Sequence, residues 1–286
     1  MKNVFVYTYG LLFLIVLAFA VMLAILIHQL TGASLLILIP VMVVLSALIA
    51  LVIFKVLMSK EKRDPMAKLH QEYMNEFRVN GVSEKMLSMA DQAINEHVNV
   101  KPIGITYFKD FVLLPADHFN MIGDFDRAMK YLQLIDENEI RSKSIMFIDN
   151  GLSVLTYFTV KIYTLYSLKD REGVKKIYDE AKNIFEKPDK KDFQAVILDS
   201  LEFYYLLSVC EYEKAKEVAD RMLKYDNKFA EYYPTKYAIN AELDLLLGEK
   251  EKAAEFMRTC LEKTEKIAPV LKPEYECLIK RWGLEL

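Results

Sequence analysis

The side chains of this 286-residue chain best able to do chemistry are four histidines, three cysteines and several paired carboxylates, and their spacing sets up no reaction. His28, His70, His97 and His118 are scattered, and no His-Glu-x-x-His run puts two imidazoles on one helix face for zinc. Cys210, Cys260 and Cys277 are odd in number and far apart, without a Cys-x-x-Cys pair. That pattern argues for three buried thiols in a reducing compartment, not for a disulfide framework or a zinc site. There is no Gly-x-x-x-x-Gly-Lys-Ser/Thr loop to cradle phosphates, no Gly-x-Gly-x-x-Gly turn for a dinucleotide and no Gly-x-Ser-x-Gly elbow for a nucleophilic serine. Acidic pairs such as Asp124 and Asp126 fall where helices begin, where a carboxylate favours the helix dipole. The expectation is a protein that is not an enzyme, with no catalytic residue, no metal and no cofactor.

Charge divides the chain in two. Residues 1–58 hold two basic side chains, Lys2 and Lys55, and no acidic one. Subtracting those two from the 37 Lys and Arg leaves 35 basic against 40 acidic side chains in the remainder. Nucleic-acid binding draws its affinity from clustered Lys and Arg that release counterions. Here the two signs alternate as on the solvated faces of helices, so no nucleic-acid partner is expected.

The apolar module, residues 1–59, contains two uncharged stretches, about 4–30 and 35–57, joined by a turn with Gly32 and no formal charge. A bilayer core takes about 20 apolar residues per helix, so an N-terminal hairpin of two transmembrane helices is expected. Ala18-Phe19-Ala20 resembles a signal-peptide cleavage site, but apolar sequence continues past it. Lys2 before the first stretch, and Lys55, Lys60, Lys62 and Arg63 around the end of the second, place both termini on the cytoplasmic side. Ala20 and Ala24, like Ser46 and Ala50, are small-residue pairs suited to close helix packing. The Lys-, Ile-, Tyr- and Glu-heavy usage points to a bacterial cell membrane.

In residues 60–286 apolar side chains recur at three and four, as in Ala128, Tyr131, Leu132, Ile135 and in Ala215, Val218, Ala219, Met222. That is the period of amphipathic helices, so an all-α domain is expected. Five helix junctions share one form. They are Gly81-Val82-Ser83-Glu84-Lys85-Met86, Gly123-Asp124-Phe125-Asp126-Arg127-Ala128, Lys169-Asp170-Arg171-Glu172-Gly173-Val174, Cys210-Glu211-Tyr212-Glu213-Lys214-Ala215 and Gly248-Glu249-Lys250-Glu251-Lys252-Ala253. Their last residues are 42, 46, 41 and 38 positions apart. Such self-similarity marks stacked helix pairs, which bury their apolar faces only against one another.

The junctions at Gly123, with Tyr131 and Leu132, at Cys210, and at Gly248, with Met257 and Cys260, resemble those of tetratricopeptide-repeat proteins. The likeness covers most of residues 66–267. The units are longer than the usual 34 residues, and the proline that closes each repeat is mostly absent. The resemblance implies an α-solenoid of about five helix pairs, with a C-terminal capping helix at 273–284 that covers the open end of the stack.

The resemblance also implies a concave face lined by the first helix of each pair. Aromatic residues crowd those helices: Tyr157, Phe158, Tyr163 and Tyr166, then Phe203, Tyr204 and Tyr205, then Tyr232, Tyr233 and Tyr237. Tyr163, Tyr166, Tyr204, Tyr233 and Tyr237 are the candidate partner-binding residues, because tyrosine joins contact area to a polar tip. The competing reading, core packing, carries more weight. The family's carboxylate clamp would use Lys236 and Asn240, but the preceding first helix offers neither Lys nor Asn. The expected function is a membrane-anchored scaffold displaying a tetratricopeptide-like domain at the cytoplasmic face, its partners the lipid bilayer and a protein at the membrane. The alternative is a regulatory or assembly subunit of a membrane complex acting through the hairpin.

Overall fold

Strand-forming alternation is missing from the sequence, and the computed structural model is all-α. It describes residues 13–18, 20–23, 25, 27, 29, 35–61, 65–97, 105–140, 151–185, 192–225 and 233–286. Thirteen α-helices and no strand occur among the described residues. The chain divides into two compact units, Met1–Lys68 and Leu69–Leu286.

In the first unit, α1 (Leu35–Glu61) contains Pro40 and buries one narrow stripe of Met42, Ser46 and Ala50. The Ser46 hydroxyl donates to the Met42 carbonyl at 2.7 Å, so its polar group is satisfied within the helix. Val16, Ala20 and Leu23 share a crevice with this stripe, which puts the two apolar stretches side by side. Val41, Val44, Leu48 and Val52 are exposed.

Among the described residues, however, no helix is long and apolar enough to cross a membrane. This overturns the expected two-span hairpin, and with it the integral-membrane localisation and the assignment of both termini to the cytoplasmic side. The turn at 31–34, and Lys2, Lys62 and Arg63, which served to orient it, lie outside the described residues.

The second unit begins within α2 (Pro65–Asn80), and along the chain its helices fall into five consecutive pairs: α2 with α3 (Glu84–His97), α4 (Ile105–Ile122) with α5 (Phe125–Leu132), and α7 (Leu152–Ser167) with α8 (Arg171–Phe185). The last two are α9 (Asp192–Ser208) with α10 (Tyr212–Leu223), and α11 (Thr235–Leu246) with α12 (Lys250–Ile267). A four-residue α6 (Glu137–Ile140) follows the second pair. First helices pack side by side, α4 on α7 and α7 on α9. Second helices pack on the first helix that follows: α3 on α4, α5 on α7, α8 on α9 and α10 on α11. This arrangement is compatible with an α-solenoid.

The shared junction has one backbone geometry. Its opening residue is left-handed in all five cases: Gly81 (φ 68°), Gly123 (88°), Lys169 (65°), Cys210 (62°) and Gly248 (82°). In the last four, two hydrogen bonds close the turn over the end of the first helix. In the second pair, for example, Gly123 N–H donates to the Asn120 carbonyl at 3.2 Å and Asp124 N–H to the Phe119 carbonyl at 2.8 Å. These satisfy carbonyls that a helix end would otherwise leave unpaired. The next residue, Asp124, Asp170, Glu211 or Glu249, starts the second helix by accepting its first backbone bond. Asp124 and Asp170 also take an N–H on their own carboxylates. Each junction ends in a fully buried residue: Met86, Ala128, Val174, Ala215 and Ala253. Where that residue is alanine, at 128, 215 and 253, the small side chain lets the paired helices approach closely.

One core runs from Ile94 on α3 to Leu243 on α11, and a second joins α11 and α12 to the C-terminal segment. That segment is a 3-10 turn (Pro269–Leu271) and α13 (Lys272–Trp282). The expected capping helix does more than cover the last pair, because α13 packs on α4 as well as on α12. A Cβ on Gly81 would lie 2.9 Å from the Val270 carbonyl oxygen, and one on Gly123 would lie 2.9 Å from Arg281 Cδ. The C-terminal segment thus passes directly over the turns of the first two pairs.

Candidate functional site

Each left-handed residue fixes the register of the helix before it. Six positions before Gly123, Lys169, Cys210 and Gly248 stand Asp117, Tyr163, Tyr204 and Glu242. These equivalent positions of four successive first helices line one pocket, which α13 closes with Tyr275, Leu278 and Trp282. Its volume is about 60 Å³.

The middle of this ladder is aromatic. The rings of Tyr163 and Tyr204 meet edge to face with centroids 5.1 Å apart, and Tyr166 lies 5.5 Å from Tyr204. The Tyr204 hydroxyl donates to Glu242 Oε2 at 3.2 Å. Burial, reinforced by Glu242, pushes the hydroxyls of Tyr163 and Tyr204 well above the ordinary phenol range, so both remain donors at neutral pH. Two further hydroxyl pairs sit at the wall, Tyr233 with Ser200 at 3.3 Å and Tyr275 with Thr235 at 3.0 Å.

The ends of the ladder are acidic. Burial pushes the Glu242 carboxyl up to about 7, against the Tyr204 hydrogen bond and the charges of Arg281 and Lys169. Asp117 is pushed up to about 6 by surrounding protein, with Glu274 adding to the rise and His118 opposing it. Water reaches Asp117, whose side chain is exposed even though protein surrounds it, as befits a carboxylate standing in a concavity.

Of the five tyrosines expected to bind a partner, the pocket gathers Tyr163, Tyr204 and Tyr233. Tyr204 is nearly buried, 6% exposed, and belongs to the core as well as to the wall. Tyr166 faces a neighbouring pocket with Lys169, Arg171 and Cys210. Tyr237 packs on the second core beneath the Lys236 ammonium. Tyr232 lies outside the described residues. Asn240 is buried and donates to the Ala219 and Lys236 carbonyls, so the carboxylate clamp has lost one of its two arms to packing. Asp117 and Glu242 escaped the sequence reading, which followed aromatic content. Counting six residues back from each junction would have found both.

The thiols also depart from expectation. Cys260 is buried, Cys277 is partly so, and Cys210 is exposed at the tip of its turn. No group of three metal-ligating side chains occurs among the described residues. Comparison with family models, curated proteins and solved structures gives no match.

Proposed function

We propose that the second unit is a tetratricopeptide-like interaction domain that takes a segment of a protein partner into its concave pocket, and that it performs no catalysis. The repeated left-handed junctions support the tetratricopeptide-like reading. The observation that carries the binding role is the ladder Asp117, Tyr163, Tyr204 and Glu242, four successive first helices presenting one register to one pocket. Tyrosines held as hydrogen-bond donors, between two carboxylates, give such a surface both contact area and polar discrimination.

Capture from native extract by the full chain tests this. The wild type should retain a stoichiometric protein, and Thr159→Trp, which fills the pocket from α7, should reduce its recovery at unchanged helical content. Equal recovery by the filled variant, or no partner for the wild type, would refute the reading.

A further inference from the structure

The two carboxylates of the pocket are neutralised unequally. Glu242 receives the Tyr204 hydroxyl and feels the charges of Arg281 and Lys169. Asp117 receives no hydrogen bond and pairs with no cation among the described residues. The neighbour that opposes the rise, His118, is already bonded to Glu274 at 2.7 Å, and Glu274 itself repels Asp117. Asp117 thus stands in the pocket wall, open to water and without a partner of its own, where a cation from outside can reach it.

The surroundings of Asp117 say which cation fits. Tyr233 and Tyr275 are close enough to feel its charge, and with them come the hydroxyls of Ser200 and Thr235. An ammonium group has three donors and no acceptor. One carboxylate with hydroxyl oxygens beside it supplies what those donors need, and aromatic faces attract the same charge. Ala238, Ile239 and Leu278 add an apolar part of the wall that suits an alkyl stem. A neighbouring position already shows this chemistry met from within the chain, where the Arg281 guanidinium lies 5.3 Å from the Phe125 ring centre and 5.9 Å from that of Tyr163.

We propose that the pocket beside Asp117 is a binding site for a primary alkylammonium group, with the carboxylate as counter-ion, the tyrosines as walls and the apolar residues around the stem. The inference rests on the reading of this concavity as a binding surface and names what enters it. The group is either the side chain of a lysine in a partner segment or a free small amine.

Calorimetric titration of the full chain distinguishes these. Three probes are used: n-butylammonium chloride, a blocked tripeptide with central lysine, and the same tripeptide with norleucine. The wild type should bind the two cations and not the norleucine peptide, and Asp117→Asn should weaken cation binding about tenfold or more, the loss expected when a charged hydrogen-bond partner is removed. A lysine peptide bound more tightly than butylammonium assigns the site to a partner's lysine; equal affinity assigns it to a free amine. Equal binding of the norleucine peptide, undiminished binding by a folded Asp117→Asn variant, or no heat from either cation would overturn the site. Any of these would leave the groove reading to stand or fall on the Thr159→Trp capture result.

Discussion

The guanidinium of Arg281 donates to the hydroxyl of Tyr163, joining the last helix to a first helix 118 residues earlier. The same group donates to the Asn120 carbonyl. Tyr163 is half-buried and Asn120 is buried, and a hydrogen bond from a charged donor contributes about 1.5–3 kcal/mol. Arg281→Met should therefore cost about 2 kcal/mol in urea denaturation, and Arg281→Lys should recover part of it. An unchanged midpoint for the methionine variant would mean that Arg281 does not tie α13 to α4 and α7.

The left-handed turns predict opposite responses to glycine. A non-glycine residue in that conformation costs about 1–2 kcal/mol, partly offset by the chain entropy that glycine loses on folding. Cys210→Gly should stabilise the fold by roughly 0.5–1 kcal/mol. Lys169→Gly should gain less, because its ammonium lies over the Tyr166 ring at 5.3 Å. Gly248→Ala should cost about 1 kcal/mol from backbone strain alone, since nothing lies within 4 Å of the added methyl. Gly123→Ala should cost more, because Arg281 must also move aside. Thermal midpoints of the four variants give the ranking.

Ala128 and Ala215 are fully buried at the crossing of paired helices. Leucine at either position should cost about 1–3 kcal/mol through overpacking. Leucine at exposed Lys176 on α8 should change stability by less than about 0.5 kcal/mol. Denaturation midpoints that failed to separate the two classes would contradict the packing.

Glu242 should make stability depend on pH. Its carboxyl titrates near 7 in the fold against an ordinary value of 4.5. A carboxyl harder to ionise when folded favours folding fully below about 4.5, and that contribution is lost as the pH rises through 7. Glu242→Gln escapes the loss. Its advantage over the wild type should be absent at pH 4 and grow to roughly 1–2 kcal/mol at pH 8, a figure reduced for the water that reaches the group. A difference flat across that window would show that Glu242 is not held in a poorly solvating site.

The helices and their junctions were legible because both depend on local chemistry. The apolar faces at Ala128 and Ala215 and the five turns needed only periodicity and a run of six residues to be seen. Lys169 and Cys210 hid their left-handed backbone, since their residue types carry no such preference; their alignment with the glycines at 81, 123 and 248 was the one signal that could have exposed it. The return of α13 onto α4 was not legible. It depends on small rotations accumulated over several pairs, which no local pattern records. In the first unit the apolar character was plain from the sequence, whereas the two-span hairpin read from it did not hold.

The claim that matters most is that the concave pocket, and not the outer face, meets the partner. A photo-crosslinking phenylalanine in place of Tyr233, compared with the same group in place of Lys176 on α8, tests it in native extract with the full chain. An adduct of one discrete mass from position 233 and none from 176 is predicted. Adducts from 176 alone, or from neither, would contradict the account.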